Sequence, residues 1–512
     1  MERFLTRHQD RIVGILSGFD RLLFRGTLRS ISFVKGMDGF LGRHHIWYKH
    51  FGAFAEQVSN RIKAHAEVLA AQAGRPFLYL ASAKQVKEAV ARDILVRDRI
   101  TDGLVCVLSC VEPCQSFTIR RDRETKHLQL VSQERKCLHL YFYYMHRDFG
   151  LMHVRLQTWL PLTIQVCVNG REWLARQMTG HGVRYTQADN SFVAIDNFPR
   201  AQQLADALTD WPWARFLERF ARQVNPWAYA KSTALRPYYW TLRQGEYATD
   251  VVFRDAAALE AVYPRLLHHA IEHFGADDVL RFLGRRLTGH FTGEACTTLQ
   301  RRREGRRIKH WIDENSIKMY DKAGCLLRIE TTLNNPRRFR VRRRIDREGH
   351  RELAWLPLRK SIADLRRRVE ISRAANARYL DALSVVGEIT PSHHLLDSVS
   401  HRVLHDGRPY RPLHPVSPLD APLFRVLLDG KFSVQGIRNR DLRLALYPDD
   451  ATDPLRQRHS AARITRCLRL LRAHGLLRKV PTTRYYRLTV KGHAIMTTAL
   501  NFRDADLALL AA

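Results

Sequence analysis

A short segment around residue 320 combines a tyrosine, two basic side chains and a carboxylate, a set suited to phosphodiester chemistry. Lys318 and Tyr320 precede a glycine-containing turn, and Arg328 and Glu330 follow it. A tyrosine can attack a phosphodiester once a neighbouring cation lowers its phenol pKa, which is about 10 in water. Lys318 or Arg328 would supply that cation, and Glu330 would hold a divalent metal on the phosphate. The segment therefore predicts Tyr320, Lys318 and Arg328 as catalytic residues.

A metal site of this kind requires more carboxylates than Glu330 alone. The candidates are Asp321, which follows the tyrosine, and the pair Glu246 and Asp250 farther upstream. Carboxylate oxygens are the preferred ligands of Mg²⁺ and Mn²⁺, so one of these ions is the predicted cofactor. The sequence has no Walker loop and no GxGxxG motif, so neither a nucleotide nor a nicotinamide cofactor is indicated.

A β-hairpin must position these side chains. The pattern predicts strands over 316–321 and 325–333, joined by a three-residue turn at 322–324. That register places Tyr320 opposite Leu326 and, because side chains alternate along a strand, gathers the candidate residues on one face. The residues predicted to share this face are Lys318, Tyr320, Arg328 and Glu330.

The same hairpin also fits a protein that grips phosphates without chemistry. In that interpretation Tyr320 is a half-buried aromatic residue of the sheet. Glu330 then pairs with Lys318 or Arg328, as oppositely charged residues on neighbouring strands commonly do. The sequence leaves both interpretations open.

The charge of the chain favours a polyanionic partner. Its 512 residues include 84 Lys and Arg against 51 Asp and Glu, a formal net charge of +33. Such an excess causes self-repulsion unless a polyanion is near, and nucleic acid is the usual partner. The excess is concentrated in residues 301–347, with 16 basic against 6 acidic residues, and in residues 438–491, with 14 against 4. Two separate contacts with nucleic acid are therefore predicted.

Arginine dominates both segments, and its planar guanidinium binds phosphate through two hydrogen bonds. The arginines predicted to bind nucleic acid are Arg301, Arg302, Arg303, Arg306, Arg307, Arg337, Arg338, Arg340, Arg342, Arg343, Arg344, Arg438, Arg440, Arg463, Arg466, Arg469 and Arg484.

Hydrophobic periodicity predicts a multi-domain α+β protein with a central antiparallel sheet and attached helices. Helical spacing dominates residues 1–100, except in the apolar and basic stretch 12–31, which three glycines interrupt and which is left unassigned. A period of two begins near residue 103, and residues 361–383 are predicted to form one long basic helix. Four regions are predicted: a helical region 1–100, an α+β core 101–345 that carries the basic hairpin, a basic helix and proline-rich linker 346–418, and a C-terminal domain 419–512. In the core, Asn169 and Gly170 predict a turn that is followed by a helix.

Two local patterns resemble known families. Residues 470–477 and 484–492 resemble the winged helix-turn-helix of bacterial regulators, which implies a helix for the DNA groove and a wing carrying Arg484. The motifs Lys-Met-Tyr-Asp-Lys and Leu-Arg-Ile-Glu at 318–330 resemble the hairpin of rolling-circle replication initiators. That resemblance implies a nucleophilic Tyr320 and a metal-binding Glu330. The whole chain resembles bacterial proteins of mobile-element type.

These features predict a nucleic-acid-binding protein of a mobile element or replicon, acting as a metal-dependent DNA nickase or initiator with a tyrosine nucleophile. The alternative is a non-catalytic DNA- or RNA-binding regulator, or the protein component of a ribonucleoprotein. DNA is favoured over RNA. No apolar run is long enough to span a membrane, so a cytoplasmic location is expected. Cys106, Cys110 and Cys114 lack the Cys-x2-Cys spacing of zinc ribbons and are expected to be reduced and structural.

Overall fold

The computed structural model describes residues 1–81, 85–285, 294–302, 305–347, 350–386, 392–429, 436–481 and 483–504. The chain forms two compact units. The first comprises residues 1–267 and 297–384, and the second comprises residues 268–296 and 385–512. The predicted boundaries at residues 100 and 345 both fall inside the first unit.

An eleven-stranded sheet dominates the first unit, with the strand order β10-β11-β12-β13-β9-β1-β6-β5-β4-β3-β2. Its strands are β1 (Ile12–Thr27), β2 (Phe77–Tyr79), β3 (Gly103–Arg121), β4 (Leu128–His146), β5 (Gly150–Gln157), β6 (Ile164–Asn169), β9 (Tyr239–Phe253), β10 (Ala295–Arg302), β11 (Gly305–Ile312), β12 (Asn315–Lys322) and β13 (Leu326–Leu333). Within the described residues, two-stranded ribbons are formed by β7 (Tyr185–Ala188) with β8 (Ser191–Ile195), β14 (Arg340–Arg347) with β15 (His350–Pro357), β16 (Val403–His405) with β17 (Arg408–Tyr410), and β18 (Leu477–Lys479) with β19 (Tyr486–Leu488).

The helices flank these strands. They are α1 (Glu2–Arg7), α2 (Val34–Arg43), α3 (Phe51–Gln72), α4 (Lys87–Arg97), α5 (Gly170–Gly180), α6 (Phe198–Ala207), α7 (Trp213–Val224), α8 (Ala256–Glu260), α9 (Tyr263–Glu272), α10 (Ala276–Phe282), α11 (Leu365–Leu383), α12 (Ser392–Asp397), α13 (Ala421–Leu427), α14 (Asn439–Leu446), α15 (Pro454–Ala473) and α16 (Val490–Asp504). Short 3-10 turns occupy Arg29–Ile31, Tyr48–His50, Leu208–Asp210, Pro226–Tyr229, Lys231–Thr233, Ile362–Asp364 and Pro448–Thr452.

The main core of the first unit lies where one face of the sheet meets helices α2, α3, α5, α6 and α7. Near β9 and β13, α11 packs on this same face, where Asn376 donates to the Tyr247 carbonyl and accepts from Thr331. The opposite face of β9 and β13 is therefore left for polar side chains. That face carries the candidate site.

The predicted α+β class is found, with one correction to the sheet. Most neighbouring strands are antiparallel, but β2 pairs parallel to β3, so the sheet is mixed. The chain between β2 and β3 contains α4, a crossover of the length that a parallel pair requires. Residues 1–100 are not exclusively helical, because β1 is a 16-residue strand near the middle of the sheet.

The second unit has its own apolar core, built by α13, α14, α15, α16 and the β18–β19 ribbon. Ile464, Leu468 and Leu471 of α15 point into this core, while arginines occupy its exposed side. Ile437 pairs with Tyr486 and thereby adds a third short segment to the ribbon. Within the described residues of the whole chain, no helix is both long and apolar enough to cross a membrane.

Candidate functional site

Four neighbouring strands, β12, β13, β9 and β1, bring the predicted site residues together. The hairpin register places Tyr320 opposite Arg328 and Lys318 opposite Glu330. This register differs by two residues from the predicted one, because the turn lies at residues 323–325, where Ala323 and Gly324 have positive φ values of 51° and 74°. A shift of two residues preserves the side-chain alternation, so the four predicted residues do share one face.

The next strand adds two of the predicted carboxylates. Arg328 pairs with Asp250 across β13 and β9, and Thr332 pairs with Glu246. Because Asp250 and Glu246 are four residues apart, both lie on the face of the hairpin site. The pairing of β9 with β13 therefore brings Glu246 and Asp250 beside the hairpin.

One carboxylate of the site, Asp20 of β1, was not predicted from the sequence. The pairing of β1 with β9 shifts between Phe19 and Arg21, so Asp20 is the extra residue of a β-bulge. A bulge re-aims a side chain, and Asp20 is buried beside Glu246 and Glu330. An isolated acid within the apolar stretch 12–31 was the only signal in the sequence.

Asp20, Glu246 and Glu330 form a carboxylate triad. Each contributes one oxygen, and these three oxygens lie within 4.8 Å of one another. The triad lines a cavity of about 280 Å³. The other residues lining the cavity are polar or charged except for one glycine, and they are Asp189, Asn190, Gly305, Arg307, Lys318, Tyr320, Asp321 and Lys322.

Glu330 is held in place by the two side chains that were predicted to be catalytic. The Lys318 ammonium donates to Oε1 at 2.5 Å, and the Tyr320 hydroxyl donates to Oε2 at 2.9 Å. Burial opposes ionisation of Glu330, but the charge and hydrogen bond of Lys318, together with Arg328 and the Tyr320 hydroxyl, outweigh it and lower the pKa of the carboxyl. Glu330 therefore carries a negative charge at neutral pH.

The expected lowering of the Tyr320 pKa is not found. Burial of the phenol, together with the negative charge of Glu330, raises the pKa of Tyr320. Arg328 acts in the opposite direction but does not compensate. In this arrangement Tyr320 is a hydrogen-bond donor to Glu330 and a poor nucleophile.

Arg328 is fully buried and forms ion pairs with two carboxylates. Its Nε and Nη2 donate to the two oxygens of Asp250 at 2.5 and 2.8 Å, and its Nη1 donates to Asp20 at 2.9 Å. The hydroxyl of Ser191 and the carbonyl of Asn190 accept further hydrogen bonds from Nη2. A guanidinium enclosed in this way does not reach a phosphate, so the predicted catalytic role of Arg328 is replaced by a structural one.

Asp250 belongs to this ion-pair network and lies outside the triad. Arg171, the second residue of α5, approaches its Oδ2 at 2.9 Å. Burial raises the pKa of Asp250, but Arg171 and Arg328 outweigh it and hold the pKa below its ordinary value. Asp321 lines the cavity without joining the triad, and burial raises its pKa. Neither residue is a metal ligand in this geometry.

Glu246 carries the least compensated charge of the triad. Burial and the nearby Glu330 and Asp20 raise its pKa, although Lys318 acts against them. Gln244 donates to its Oε1 at 2.8 Å. A carboxyl with a raised pKa beside two other carboxylates is a position where a divalent cation would relieve repulsion. The triad therefore fits a hard, oxygen-preferring cation such as Mg²⁺ or Mn²⁺.

The predicted arginines divide by exposure. Those with exposed side chains are Arg301, Arg337, Arg338, Arg340, Arg342, Arg344, Arg438, Arg440, Arg463, Arg466, Arg469 and Arg484, and the half-buried ones are Arg306, Arg307 and Arg343. Arg303 and the side chain of Arg302 lie outside the described residues. The sites on β10, the 337–344 stretch, α15 and the β18–β19 turn are therefore accessible to a partner.

The cysteines at 106, 110 and 114 lie along β3. Cys106 and Cys110 are buried in a small apolar cluster with α4, and burial raises the pKa of Cys106 to about 12. Both are therefore protonated thiols at neutral pH.

Comparison with known proteins finds no family model, no curated protein and no solved structure that matches this chain.

Proposed function

We propose that this chain is a nucleic-acid-binding protein of a mobile element or replicon, and that its carboxylate triad is a metal centre for cutting or joining a nucleic-acid backbone. The observation that carries the proposal is the convergence of Asp20, Glu246 and Glu330 within 4.8 Å. Lys318 and Arg307 line the same cavity and supply positive charge toward a phosphate. Carboxylates that bind a metal beside a phosphate-binding lysine are suited to phosphoryl transfer.

The three carboxylates would hold the cation, which would act as a Lewis acid toward a phosphodiester. An ionised carboxylate offers about four lone-pair positions. Asp20 accepts three hydrogen bonds, two from the Asn190 amide and one from Arg328, and Glu330 accepts two. Both therefore keep acceptor capacity on the cavity side. Lys318 has the further task of keeping Glu330 ionised.

Tyr320 receives a positioning role in this proposal, since its hydroxyl orients Glu330 and its pKa is raised. A tyrosine nucleophile, as the initiator resemblance implies, would leave a covalent adduct between protein and DNA. The adduct therefore distinguishes the two roles of Tyr320 directly.

The arrangement of the second unit supports a winged helix that docks on DNA. Helix α15 presents Arg463, Arg466 and Arg469 on its exposed side, and the β18–β19 ribbon follows it closely. Arg484 is exposed at the turn of that ribbon. A helix for the major groove followed by a basic wing is the usual docking arrangement of this class.

The alternative function is binding without chemistry. The observation that favours it is that the charged side chains of the hairpin already form ion pairs. Lys318 pairs with Glu330, and Arg328 pairs with Asp250 and Asp20. In that case the triad is part of a buried ion-pair network that only supports the sheet.

The decisive experiment incubates the wild type and two variants with supercoiled and single-stranded DNA in Mg²⁺ or Mn²⁺. We expect the wild type to nick DNA. Glu246→Gln should reduce the nicking activity by at least about 100-fold, because a proposed metal ligand is removed. The control Glu56→Gln, at an exposed position on α3, should have near-normal activity. Tyr320→Phe should retain activity if the tyrosine only positions Glu330. A covalent adduct that disappears in Tyr320→Phe would restore the nucleophile role, and absence of any cleaved product would leave the binding function alone.

Metal binding gives a second readout that does not depend on activity. Mn²⁺ should bind the wild type in calorimetric titrations and should bind Glu246→Gln much more weakly. Because the Glu246 pKa is raised, a proton competes with the cation, so affinity should fall as the pH is lowered toward the acidic range. Equal affinity in both proteins, or no change with pH, would place the ion elsewhere.

A further inference from the structure

We propose that the β14–β15 ribbon is a binding arm for unpaired nucleic-acid strands, with Trp355 as the platform on which a base stacks. This inference rests on the proposed function, because it specifies the single-stranded form of the nucleic acid that the chain binds. The binding arm is inferred from the pairing and the exposed side chains of the ribbon itself. The metal centre does not require such an arm.

One face of the ribbon is both basic and apolar. Antiparallel pairing places Arg342 opposite Trp355 and Arg344 opposite Leu353. Side chains on this face are exposed, including 56% of the Trp355 surface and 55% of Leu353. The other face, which carries Val341 and Leu356, is half-buried. Two large apolar side chains, Trp355 and Leu353, therefore stand on the more exposed face, and exposed apolar surface of this kind marks an interaction surface.

Two guanidiniums lie near the indole of Trp355. The Cζ atoms of Arg342 on the ribbon and Arg367 on α11 are each 5.9 Å from the ring centroid. Cation–π contacts of this length orient the ring without burying it. An exposed aromatic ring with adjacent arginines can stack on a base while the guanidiniums bind the flanking phosphates.

The base of the ribbon is fixed, so the platform has a defined direction. Arg343 on the less exposed face pairs with Asp364, which also accepts from the backbone N–H of Arg359 at 2.9 Å. Arg367 donates to the Arg340 carbonyl at 3.0 Å and thereby joins the ribbon to α11. A pre-organised arm loses little conformational freedom when it binds.

The chemistry favours an unpaired strand over a duplex or a protein. Within a duplex each base is already stacked on its neighbours, and only its edges are accessible to a side chain. The described exposed face carries Arg340, Arg342 and Arg344 against Asp346, a balance that favours a polyanion. A second copy of this chain would bring the same positive charges into contact and is therefore disfavoured.

The test measures binding of labelled single-stranded oligonucleotides of about 15 nucleotides, as DNA and as RNA, and of the matching duplex. The proteins compared are the wild type, Trp355→Ala, Trp355→Phe and the control Trp47→Ala, whose side chain is 72% exposed on a different part of the first unit. Trp355→Ala should weaken single-strand binding roughly 5- to 150-fold and duplex binding by less than about 2-fold. Trp355→Phe should recover much of the loss, and Trp47→Ala should match the wild type.

The outcomes separate this inference from the function on which it rests. If the wild type binds no nucleic acid, both fail together. If the wild type binds but Trp355→Ala is unaffected, or loses single-strand and duplex binding equally, the stacking platform is refuted while the binding function stands. If Trp355→Ala only converts a dimer to a monomer in sedimentation runs, the face is a contact between copies. Circular dichroism and thermal melting of each variant exclude misfolding as the cause.

Discussion

At the scale of single residues, the site is organised by one buried guanidinium. Burying an arginine costs several kcal/mol unless its charge and its N–H groups are all matched. Arg328 meets that condition through Asp250, Asp20, Ser191 and Asn190. It thereby fixes Asp20, one member of the carboxylate triad, in the orientation that faces Glu246.

Replacing Arg328 should therefore cost stability rather than substrate binding alone. Arg328→Lys should lower the free energy of unfolding by about 1.5 to 3 kcal/mol, because a lysine keeps the charge but cannot make the two-pronged contact with Asp250 and reach Asp20 at the same time. The measurement is urea denaturation followed by circular dichroism. The control is Arg338→Lys, an exposed arginine 3.5 Å from Asp313, which should change the stability by no more than about 0.5 kcal/mol. A variant at 328 as stable as the wild type would contradict the assigned role.

A site residue can be predicted from the sequence when its position depends only on residues close to it in the chain. The hairpin face of Lys318, Tyr320, Arg328 and Glu330 depends only on alternation around a short turn, and a two-residue error in the register leaves it unchanged. The position of Asp20 depends on a bulge that forms only when β1 pairs with β9, more than 200 residues away in the chain. No local sequence pattern therefore predicts it. The sign of the Tyr320 pKa shift depends on burial by distant segments and was predicted incorrectly for the same reason.

At the scale of elements, the position of β1 is set by a close approach of α5. Asn169 caps this helix by accepting from the backbone N–H groups of Arg171 and Glu172, at the place where the sequence predicted a turn followed by a helix. A Cβ atom on Gly170 would lie 2.3 Å from the backbone oxygen of Phe19. Only glycine allows the helix to approach the strand next to the bulge that carries Asp20.

Gly170→Ala should therefore destabilise the protein, by about 1 to 3 kcal/mol, because the added methyl group meets backbone that cannot yield without moving the bulge. The same helix provides the control. A methyl group added at Gly180 would have no atom within 4 Å, so Gly180→Ala should be neutral or should stabilise by up to about 1 kcal/mol. Thermal unfolding of the two variants compares them directly. Equal melting temperatures would show that β1 and α5 do not depend on this contact.

Element types were easier to predict than their partners. The α5 helix, the long helix near 361–383 and the hairpin at 316–333 were all anticipated from periodicity and turn residues. The apolar stretch 12–31 was not assigned, because its three glycines obscure any period, yet it contains the strand β1 near the middle of the sheet. The parallel pairing of β2 was equally inaccessible, since a three-residue strand carries almost no pattern.

At the scale of the whole molecule, the positive charge is the property that the proposed function must explain. Residues 301–347 and 438–491 each contribute +10 to the net charge of +33, and the structure leaves most of their described arginines exposed. Several of these arginines face acidic partners, as Arg438 faces Asp441, but such surface pairs contribute little to stability. The proposed binding function explains this excess of exposed arginines, because the folding of the chain does not require it.

Binding through these arginines should show a steep dependence on salt. Removing one phosphate-binding arginine should reduce the slope of log K against log salt concentration by about 0.9 for duplex DNA and about 0.7 for a single strand. Replacing Arg463, Arg466 and Arg469 of α15 by glutamine should therefore reduce the duplex slope by up to about 3, measured by fluorescence anisotropy between about 50 and 200 mM salt. The control removes the same charge elsewhere, from the exposed arginines Arg92, Arg97 and Arg99. An equal reduction in both triple variants would mean that only total charge matters, whereas a reduction confined to the α15 variant assigns duplex binding to that helix.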